Sequence, residues 1–326
     1  MRILALQLKR IGDLILTTPA LAALRAAHPD AEIALAVAPG CAPLLGTIGG
    51  ISSGIVLGRG RGFAPWQQVL TGPWDVCLDF TGSDRSALAV AASRAKERAT
   101  FASVRRSKMR SLAYNRFVDS PVRERHTVDH YLDLVGANTP LDPSLQIPAS
   151  AQSAADELLR ASGIASPFVL VHPGTARPEK YWLPDRWAEV ISSLKMPSII
   201  TSGPDEFERT HAAKIQSQIA NCKSRIALPP DLPTLAALIA RAALVLSCDT
   251  AAVHFAAAFQ RPQIALFGPT NPFHWRPRHE RALVLSAAQP DAPLRDFTPR
   301  MKGAPMERIS TALVIGAIAS LIPDSN

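Results

Sequence analysis

Short apolar runs alternate with longer helical stretches along the first half of the chain. The runs that predict buried strands are 3–8, 31–37, 53–57 and 74–80. Each run is separated from the next by enough chain for a crossover, which is typical of a parallel sheet covered on both faces. Residues 14–28 predict the first helix, and we expect Pro19 inside it to kink the helix or to mark its true start.

The same alternation restarts after a proline-rich stretch. Residues 139–150 contain three prolines, which is typical of a linker between domains. The predicted strands that follow are 168–172, 197–201, 243–248 and 262–268. The predicted helices of this half are 151–162, 184–195, 205–221, 233–242 and 250–259. Because 326 residues also suit two domains of about 150 each, we predict an α/β protein of two doubly wound domains, 1–148 and 149–326, with ligand near the cleft between them.

Two segments depart from this rhythm. The strongly basic stretch 93–116 interrupts the pattern, and we expect a mobile segment or a surface that docks on a partner. The apolar stretch 309–322 has about 14 residues, too few to cross a membrane. We expect a last helix at about 306–322 that packs back toward the N-terminal domain.

Composition limits the cellular environment expected for the protein and the kind of partner it binds. No run approaches 18 uncharged apolar residues and no signal-peptide cleavage site follows the start, so we expect a cytosolic protein. The four cysteines are too dispersed for a disulfide framework or a zinc ribbon. A net charge of +8 favours an anionic partner, which by charge alone is a nucleic acid, a membrane surface or a phosphorylated substrate. The basic stretch has no aromatic residues at base-stacking spacing.

The first candidate site follows the first strand. Gly12 and Asp13 stand at the turn into the helix, where glycine permits close approach of a ligand and a carboxylate can face it. Asp13 taken alone also fits a helix cap. The dinucleotide fingerprint G-x-G-x-x-G and the P-loop are both absent from the chain.

The second half offers two further candidates. Thr175 lies in the turn after the strand 168–172, and Lys180, just beyond, suits a diphosphate or a solvated surface. Glu206 opens a later helix. Asp249 and Thr250 precede an alanine-rich helix whose free N–H groups form an anion site, and His254 lies beside it. Asp249 would repel a phosphate directly, so it suits a helix cap or sugar hydroxyls.

Other chemistries lack their motifs. The sequence has no H-E-x-x-H, no D-x-D pair and no clustered His and Cys, so we predict no metal site. The G-x-S-x-G match at 50–54 runs into a predicted strand and does not lead from a strand into a helix, so the chain shows no nucleophile elbow, which disfavours an α/β-hydrolase.

Three segments in order carry a resemblance to a known family. RIGDLILTTPALAALRAAHPDAEI, HPGTARPEKYWLPDRWAEVI and SCDTAAVHFAAAFQRPQIALFGPTNP together resemble the family 9 glycosyltransferases, the ADP-heptose:lipopolysaccharide heptosyltransferases. The segment 79–87, VDHYLDL and the final helix extend the resemblance over nearly the whole chain. It implies a GT-B fold with two Rossmann-like domains facing across a cleft, an acceptor-binding N-terminal domain and a nucleotide-sugar-binding C-terminal domain.

The resemblance also implies an activity and its residues. The expected reaction is inverting and metal-independent, with ADP-heptose or a related ADP-sugar as donor and a lipopolysaccharide inner-core hydroxyl as acceptor. Asp13 resembles the catalytic aspartate of the family. The positions that resemble its donor-binding residues are Thr175, Lys180, Glu206, Asp249, Thr250, Ala251 and His254. Ala251 departs from the family, which usually has glycine there.

The acceptor side follows from the excess of positive charge. The expected acceptor-binding residues are Gly12, Arg59, Arg61, Arg105 and Arg106. They fit an anionic glycolipid, although a solvated basic face explains the arginines equally well. We therefore expect peripheral association with the cytoplasmic face of the inner membrane, no nucleic-acid ligand and no stable protein partner.

Two alternatives remain at this point. One is an epimerase-like GT-B enzyme, which would act on a nucleotide sugar without an acceptor. The other is a non-catalytic protein that binds anionic glycans and retains the fold. The presence of Asp13, Lys180 and Asp249 together argues against the second alternative, because a binding protein needs no base.

Overall fold

A computed structural model describes residues 1–58, 60, 62–219 and 224–322. They form two compact units, one of Met1–Gln146 and one that begins at Ile147. The boundary between the units falls inside the proline-rich stretch 139–150.

The N-terminal unit is a parallel sheet flanked by helices. Its described strands are β1 (Arg2–Gln7), β2 (Glu32–Val37), β3 (Ser53–Val56), β4 (Val76–Asp79), β5 (Glu97–Phe101) and β6 (Arg116–Val118). Its described helices are α1 (Ile11–Ala27), α2 (Ala64–Thr71), α3 (Asp84–Ser93), α4 (Lys108–Ser111) and α5 (Thr127–Val135). Shorter 3-10 segments lie at Pro39–Thr47, Ala102–Arg106 and Val122–Glu124. The strand order is β3-β2-β1-β4-β5-β6, as expected of a doubly wound domain.

Helix α1 shows how the chain accommodates a proline. The helix runs unbroken from Ile11 to Ala27, so the prediction that Pro19 marks its start is wrong. Pro19 has no N–H to donate to the carbonyl of Ile15, four residues earlier. The hydroxyl of Thr18 donates to that carbonyl at 2.7 Å. The freed acceptor is therefore satisfied and the helix continues.

The basic stretch 93–116 is more ordered than the sequence predicted. It contains β5, which lies between β4 and β6 in the sheet, with Ala99 and Thr100 fully buried. The guanidinium of Arg98 donates to two backbone carbonyls, those of Ala95 and Ala113, which binds the strand to its neighbours. The prediction of a mobile segment is wrong for Glu97–Phe101, because charged residues at the start of this strand conceal its buried core.

The C-terminal unit repeats the architecture. Its described strands are β7 (Val169–His172), β8 (Ser198–Thr201), β9 (Ser224–Ala227), β10 (Leu244–Cys248), β11 (Gln263–Phe267) and β12 (Ala282–Ser286). Its described helices are α6 (Ala149–Ser162), α7 (Pro184–Ser192), α8 (Glu206–Ser217), α9 (Leu232–Arg241), α10 (Ala251–Ala258) and α11 (Thr311–Leu321). Short 3-10 segments lie at Pro178–Lys180, Pro272–His274 and Met306–Arg308. The order β12-β11-β10-β7-β8-β9 is the same doubly wound topology, and all the strand pairs are parallel.

The last helix completes the core of the C-terminal unit. It was predicted at 306–322 and expected to pack toward the N-terminal domain; it begins at Thr311 and packs against α7 and β11 of its own unit. The indole of Trp182 donates to the carbonyl of Ile309 at 3.1 Å, and Arg186 donates to the same carbonyl at 2.5 Å. Trp182 and Trp187 are both fully buried and meet edge to face at 5.0 Å.

Candidate active site

Each sheet has a topological switch point. Here two neighbouring strands are followed by connections that run to opposite sides of the sheet. These neighbours are β1 and β4 in the N-terminal unit and β7 and β10 in the C-terminal unit. In doubly wound sheets, ligands bind outside the carboxyl ends of the strands at such points. Asp13 follows β1, and Asp249 with Thr250 follows β10. The structure therefore places the main predicted groups at the two switch points.

Asp13 lies in the first turn of α1, where a carboxylate interacts favourably with the helix dipole. Its Oδ1 accepts a hydrogen bond from the hydroxyl of Tyr131 at 2.9 Å. Its Oδ2 makes only a long contact of 3.4 Å with the backbone N–H of Arg10, and the side chain is partly exposed. One carboxylate oxygen is thus fixed from inside the unit, while the other makes only a weak backbone contact.

Tyr131, on α5, is fully buried behind Asp13. Its ring packs edge-on against Phe80 at 5.6 Å, and its hydroxyl accepts a hydrogen bond from Nζ of Lys9 at 3.4 Å. Burial and the Asp13 charge raise the pKa of Tyr131 well above 10. The phenol therefore stays protonated and donates to Asp13. Sequence reasoning missed both Tyr131 and Lys9, since nothing local to either residue signals that α1 and α5 pack together.

A second polar group fixes α5 from the other side. His130 stacks on Phe101 at 3.6 Å, and its Nδ1 shares a hydrogen bond of 2.8 Å with the hydroxyl of Ser120. Ser120 in turn donates to Asp133 at 2.6 Å. Burial lowers the pKa of His130 to about 3, so the imidazole is neutral. These contacts hold the helix that carries Tyr131 in one position.

The second acid of this unit is structural. Asp79, fully buried at the end of β4, accepts hydrogen bonds from the N–H groups of Thr81 and Gly82 and from the hydroxyl of Tyr114 at 2.6 Å. Burial raises the pKa of Asp79. The hydroxyl of Thr81 accepts from the N–H of Leu8 at 2.8 Å. Asp79 therefore organises the loop after β4 and binds it to the end of β1.

In the C-terminal unit, the structure brings Lys180 and Asp249 together. Nζ of Lys180 donates to Oδ2 of Asp249 at 2.5 Å, and the two side chains are only 13% and 10% exposed. Lys180 is the last residue of the 3-10 segment after β7, whereas Asp249 directly follows β10. The pair therefore spans the switch point of the second sheet, which the sequence could not show because the residues are 69 positions apart.

The neighbours of this pair form the start of α10. Thr250 is the N-cap residue and Ala251 the first residue of the helix. Ala251 is helical and is not among the residues with positive φ, so its Cβ is compatible with the backbone. His254 is buried within the helix, and Thr175 is buried in the turn after β7. The first turn of α10, where backbone N–H groups lack partners within the helix, follows Asp249 directly in the chain.

A carboxylate from α8 lies against both glycine turns of this unit, and it is not the predicted one. Oε2 of Glu208 accepts a hydrogen bond from the N–H of Gly203 at 2.6 Å. A Cβ at Gly174 or Gly203 would lie 2.6 Å or 2.5 Å from the same oxygen, so a larger residue at either position would displace the Glu208 carboxylate. Burial raises the pKa of Glu208. Glu206, the acid predicted from the sequence, is the first residue of α8 and is exposed. The sequence offered no signal to prefer Glu208.

The structure describes three of the five predicted acceptor-binding residues. Gly12 lies beside Asp13 in the first turn of α1. Arg105 and Arg106 are both exposed in the 3-10 segment after β5, and the guanidinium of Arg105 lies 4.4 Å from the ring centroid of Phe117. The structure does not bring these two arginines into hydrogen-bond contact with Asp13 in any described interaction. Arg59 and Arg61 lie outside the described residues.

The described residues contain neither a metal-binding cluster nor a helix that could span a membrane. Within the described residues, no group of three or more His, Cys, Asp or Glu side chains could hold a metal ion. No helix in the described part of the chain is long and apolar enough to cross a bilayer. Of the cysteines, Cys41, Cys77 and Cys248 are free and buried, and Cys222 is outside the described residues.

Comparison with known proteins decides the family. The model of glycosyltransferase family 9 (heptosyltransferase) matches residues 63–304. This chain belongs to glycosyltransferase family 9. The matched range includes Lys180, Glu208 and Asp249, while Asp13 precedes it. The family suggested by the sequence motifs is thus confirmed.

Individual relatives cover almost the whole family 9 chain. It is 25% identical to lipopolysaccharide heptosyltransferase 3 of Escherichia coli over 339 residues, which is 96% of this chain and 97% of the relative. A family 9 glycosyltransferase from Veillonella parvula superimposes with a TM-score of 0.82 at 23% identity, covering 98% of this chain and 96% of that one. An E. coli heptosyltransferase solved with ADP gives 0.74 at 20% identity, covering 98% and 97%. The fold of this glycosyltransferase is GT-B, as predicted.

Proposed function

We propose that this family 9 glycosyltransferase transfers a heptose from ADP-heptose to a hydroxyl of the lipopolysaccharide inner core. The observation that carries the proposal is the Lys180–Asp249 pair beside the start of α10. A cation next to a helix N-terminus suits a diphosphate, and a carboxylate beside it suits sugar hydroxyls. The E. coli relative is itself a lipopolysaccharide heptosyltransferase, which supports the choice of sugar and acceptor.

On the acceptor side, Asp13 acts as the general base. The acceptor oxygen attacks the anomeric carbon and gives up its proton, which Oδ2 of Asp13 is positioned to take because Tyr131 already occupies Oδ1. The hydrogen bond from Tyr131 fixes the carboxylate before substrate arrives. Lys9 orients the phenol in turn.

On the donor side, the bond between the anomeric carbon and the diphosphate breaks as the new glycosidic bond forms. The negative charge that grows on the leaving diphosphate is stabilised by Lys180 and by the free N–H groups at the start of α10. We propose that no metal ion is needed, since fixed positive groups take its place. Attack on the face opposite the leaving group inverts the anomeric configuration.

The nucleoside end of the donor belongs near the glycine turns. A carboxylate beside two glycines accepts hydrogen bonds from ribose hydroxyls while the backbone comes close to the ligand. Glu208 meets this description, and Glu206, the acid predicted from the family motif, is the competing candidate. Thr175 and His254 line the same edge of the sheet through the turn after β7 and through α10.

The acceptor is an anionic glycolipid, for which Gly12, Arg59, Arg61, Arg105 and Arg106 are the proposed binding residues. Guanidinium groups pair with carboxylates and phosphates in bidentate fashion. A lipid-linked acceptor places the enzyme at the cytoplasmic face of the inner membrane as a peripheral protein. This location is part of the proposal.

Calorimetric titration with ADP, UDP and GDP in EDTA tests the donor assignment. Selective binding of ADP that is lost in Lys180→Ala supports an ADP-sugar donor. Transfer is then measured with ADP-heptose and heptose-free lipopolysaccharide core, and the anomeric configuration of the product is read by NMR. Binding of UDP instead would favour an epimerase-like enzyme, and no nucleotide binding would favour a glycan-binding protein.

A further inference from the structure

Two of the most exposed apolar side chains in the described part of the chain lie next to each other. Met109 is 80% exposed and Leu112 is 78% exposed, more than any other large apolar residue described. Met109 lies on α4 and Leu112 is the residue that follows the helix. Because they are three residues apart, they lie on the same face of this turn. Single exposed apolar residues are common on protein surfaces, but two at this spacing form a small continuous apolar surface.

Positive charge surrounds this apolar pair. The segment 102–112, which we call the basic turn, contains Arg105, Arg106, Lys108 and Arg110 and no acidic residue. Arg105, Arg106 and Lys108 are exposed. Arg110 instead turns inward, where it donates to the carbonyl of Gly82 at 2.7 Å and pairs with Asp84 at 3.1 Å. Three cations therefore remain at the surface with the two apolar side chains.

The basic turn is a fixed feature and not a loose loop. Val104 is buried beneath it, and a Cβ at Gly82 would meet the Val104 side chain at 3.0 Å. Ser107 caps α4 by accepting from the N–H of Arg110, and Ser111 donates to the carbonyl of Lys108 at 2.8 Å. The backbone that carries the exposed apolar side chains is thus held by a packed base, so this part of the chain does not need to be ordered on binding.

The position of the basic turn connects it to the acceptor chemistry. It follows directly from the carboxyl end of β5, at the same edge of the parallel sheet as the ends of β1 and β4. Arg110 binds it to the loop after β4, and Thr81 of that loop binds to Leu8 at the end of β1. Asp13 lies in the helix that follows. A lipid surface at the basic turn would therefore adjoin the edge that carries the proposed base.

We propose that the basic turn is the surface by which the N-terminal unit docks on an anionic bilayer. Met109 and Leu112 insert among the acyl chains near the headgroups while Arg105, Arg106 and Lys108 contact lipid phosphates. Four residues of helix are far too short to span, so the contact is interfacial. A nucleic acid does not fit, because the exposed side chains of the turn offer no aromatic face for a base.

The proposal deepens the peripheral location included in the proposed function, but its test does not depend on transfer activity. The probe is sedimentation with vesicles of phosphatidylethanolamine containing about one quarter phosphatidylglycerol, compared with neutral phosphatidylcholine vesicles. Wild-type protein should sediment with the anionic vesicles and be released by salt, because the headgroup contacts are screened. Equal binding to the neutral vesicles would overturn the electrostatic part.

The decisive variant is Met109→Ser with Leu112→Ser, which spares every residue assigned to acceptor or donor. We expect at least a 10-fold loss of vesicle affinity, in the range expected when two apolar side chains no longer insert. Leu228→Ser removes an exposed apolar side chain of the other unit, 48% exposed, and should bind like wild type. Lys108→Glu should weaken binding while Arg160→Glu, an exposed charge on α6, should not.

Activity on a water-soluble, deacylated core acceptor separates this proposal from the proposed function. The serine double variant should retain that activity and an unchanged far-UV spectrum while losing vesicle binding. A double variant that still sediments like wild type overturns the docking surface. Wild-type protein that never sediments also overturns it, and a protein partner then becomes the occupant to seek. Absence of transfer by wild-type protein contradicts only the proposed function.

Discussion

The hydroxyl of Tyr131 donates a hydrogen bond to Oδ1 of Asp13 at 2.9 Å, joining residues 118 positions apart in the sequence. The phenol is fully buried and the carboxylate is partly exposed, so the bond links the interior of the unit to the start of α1. In the proposed mechanism, this leaves the second carboxylate oxygen available for the acceptor proton. Since general-base catalysis depends on the placement of the base, the strength of this contact should be visible in kcat.

Tyr131→Phe keeps the ring and removes the donated hydrogen bond. We expect kcat to fall by about 10-fold or more, because a hydrogen bond to a charged group contributes about 1.5 to 3 kcal/mol. KM for the nucleotide sugar should change little. Steady-state kinetics with each substrate varied in turn measures this split.

The matched control is Tyr114→Phe. Tyr114 is also buried and also donates to a carboxylate, that of Asp79 at 2.6 Å. Its loss should lower stability without a comparable loss of kcat, because Asp79 is fully buried at the end of β4. Equal kinetic losses in both variants would mean that Tyr131 acts through stability alone.

Asp13→Asn removes the base and keeps the shape of the side chain. Turnover should fall by about 10² to 10⁴-fold, the usual contribution of a general base. The affinity for ADP should stay within about twofold of wild type, since Asp13 is assigned to the acceptor and not to the donor. Calorimetry with ADP and a transfer assay test the two parts separately. A parallel loss of ADP binding would contradict this division of roles.

Lys180→Met breaks the ion pair with Asp249. We expect ADP affinity to fall by about 10 to 100-fold, because the variant loses a cation at the diphosphate and leaves a buried carboxylate unpaired. Lys180→Arg should recover part of the affinity, since it restores the charge at a different geometry. The double variant Lys180→Met/Asp249→Asn measures the coupling between the pair. Unchanged ADP affinity in Lys180→Met would remove Lys180 from the donor site.

Glu208→Gln and Glu206→Gln form a matched pair two residues apart on one helix. Glu208 lies against Gly174 and Gly203, whereas Glu206 is exposed. Glu208→Gln should reduce ADP affinity by about 10-fold, through loss of charge-assisted hydrogen bonds to ribose hydroxyls. Glu206→Gln should have little effect. The reverse result would return the role to the acid chosen from the sequence motif.

Much of this architecture could be predicted from the sequence because buried parallel strands are nearly continuous apolar runs. β1, β2, β7, β10 and β11 were found in this way, and Asp13, Lys180 and Asp249 could be selected since each follows such a strand. β5 was missed because Glu97 and Arg98 at its start conceal a short buried core. β6, β9 and β12 were missed as well, and all three are edge strands that pair with only one neighbour.

Contacts between residues far apart in the chain could not be predicted from the sequence. The contacts of Tyr131 with Asp13 and of Lys180 with Asp249 depend on which helices and turns become neighbours after folding. The VDHYLDL segment contributes to the family resemblance, but its sequence does not show what the hydroxyl of Tyr131 touches. The choice between Glu206 and Glu208 depends on the rotation of α8, which two charged residues in one helical turn do not determine.

The buried histidines predict how stability depends on pH. His172, at the end of β7, is 6% exposed and shares a hydrogen bond of 2.9 Å with Thr201, and burial lowers its pKa to about 4 from an ordinary 6.5. Between pH 6.5 and 4 the unfolded chain binds more protons than the folded protein, so stability falls as the pH falls through this window. From pH 7 to pH 5 this one histidine should cost about 2 kcal/mol of unfolding free energy. His172→Asn should remove that share of the loss in urea unfolding at the two pH values, whereas His28→Asn, at an exposed position, should not. A pH dependence in His172→Asn equal to that of wild type would show that His172 is protonated in the folded protein as readily as in the unfolded chain.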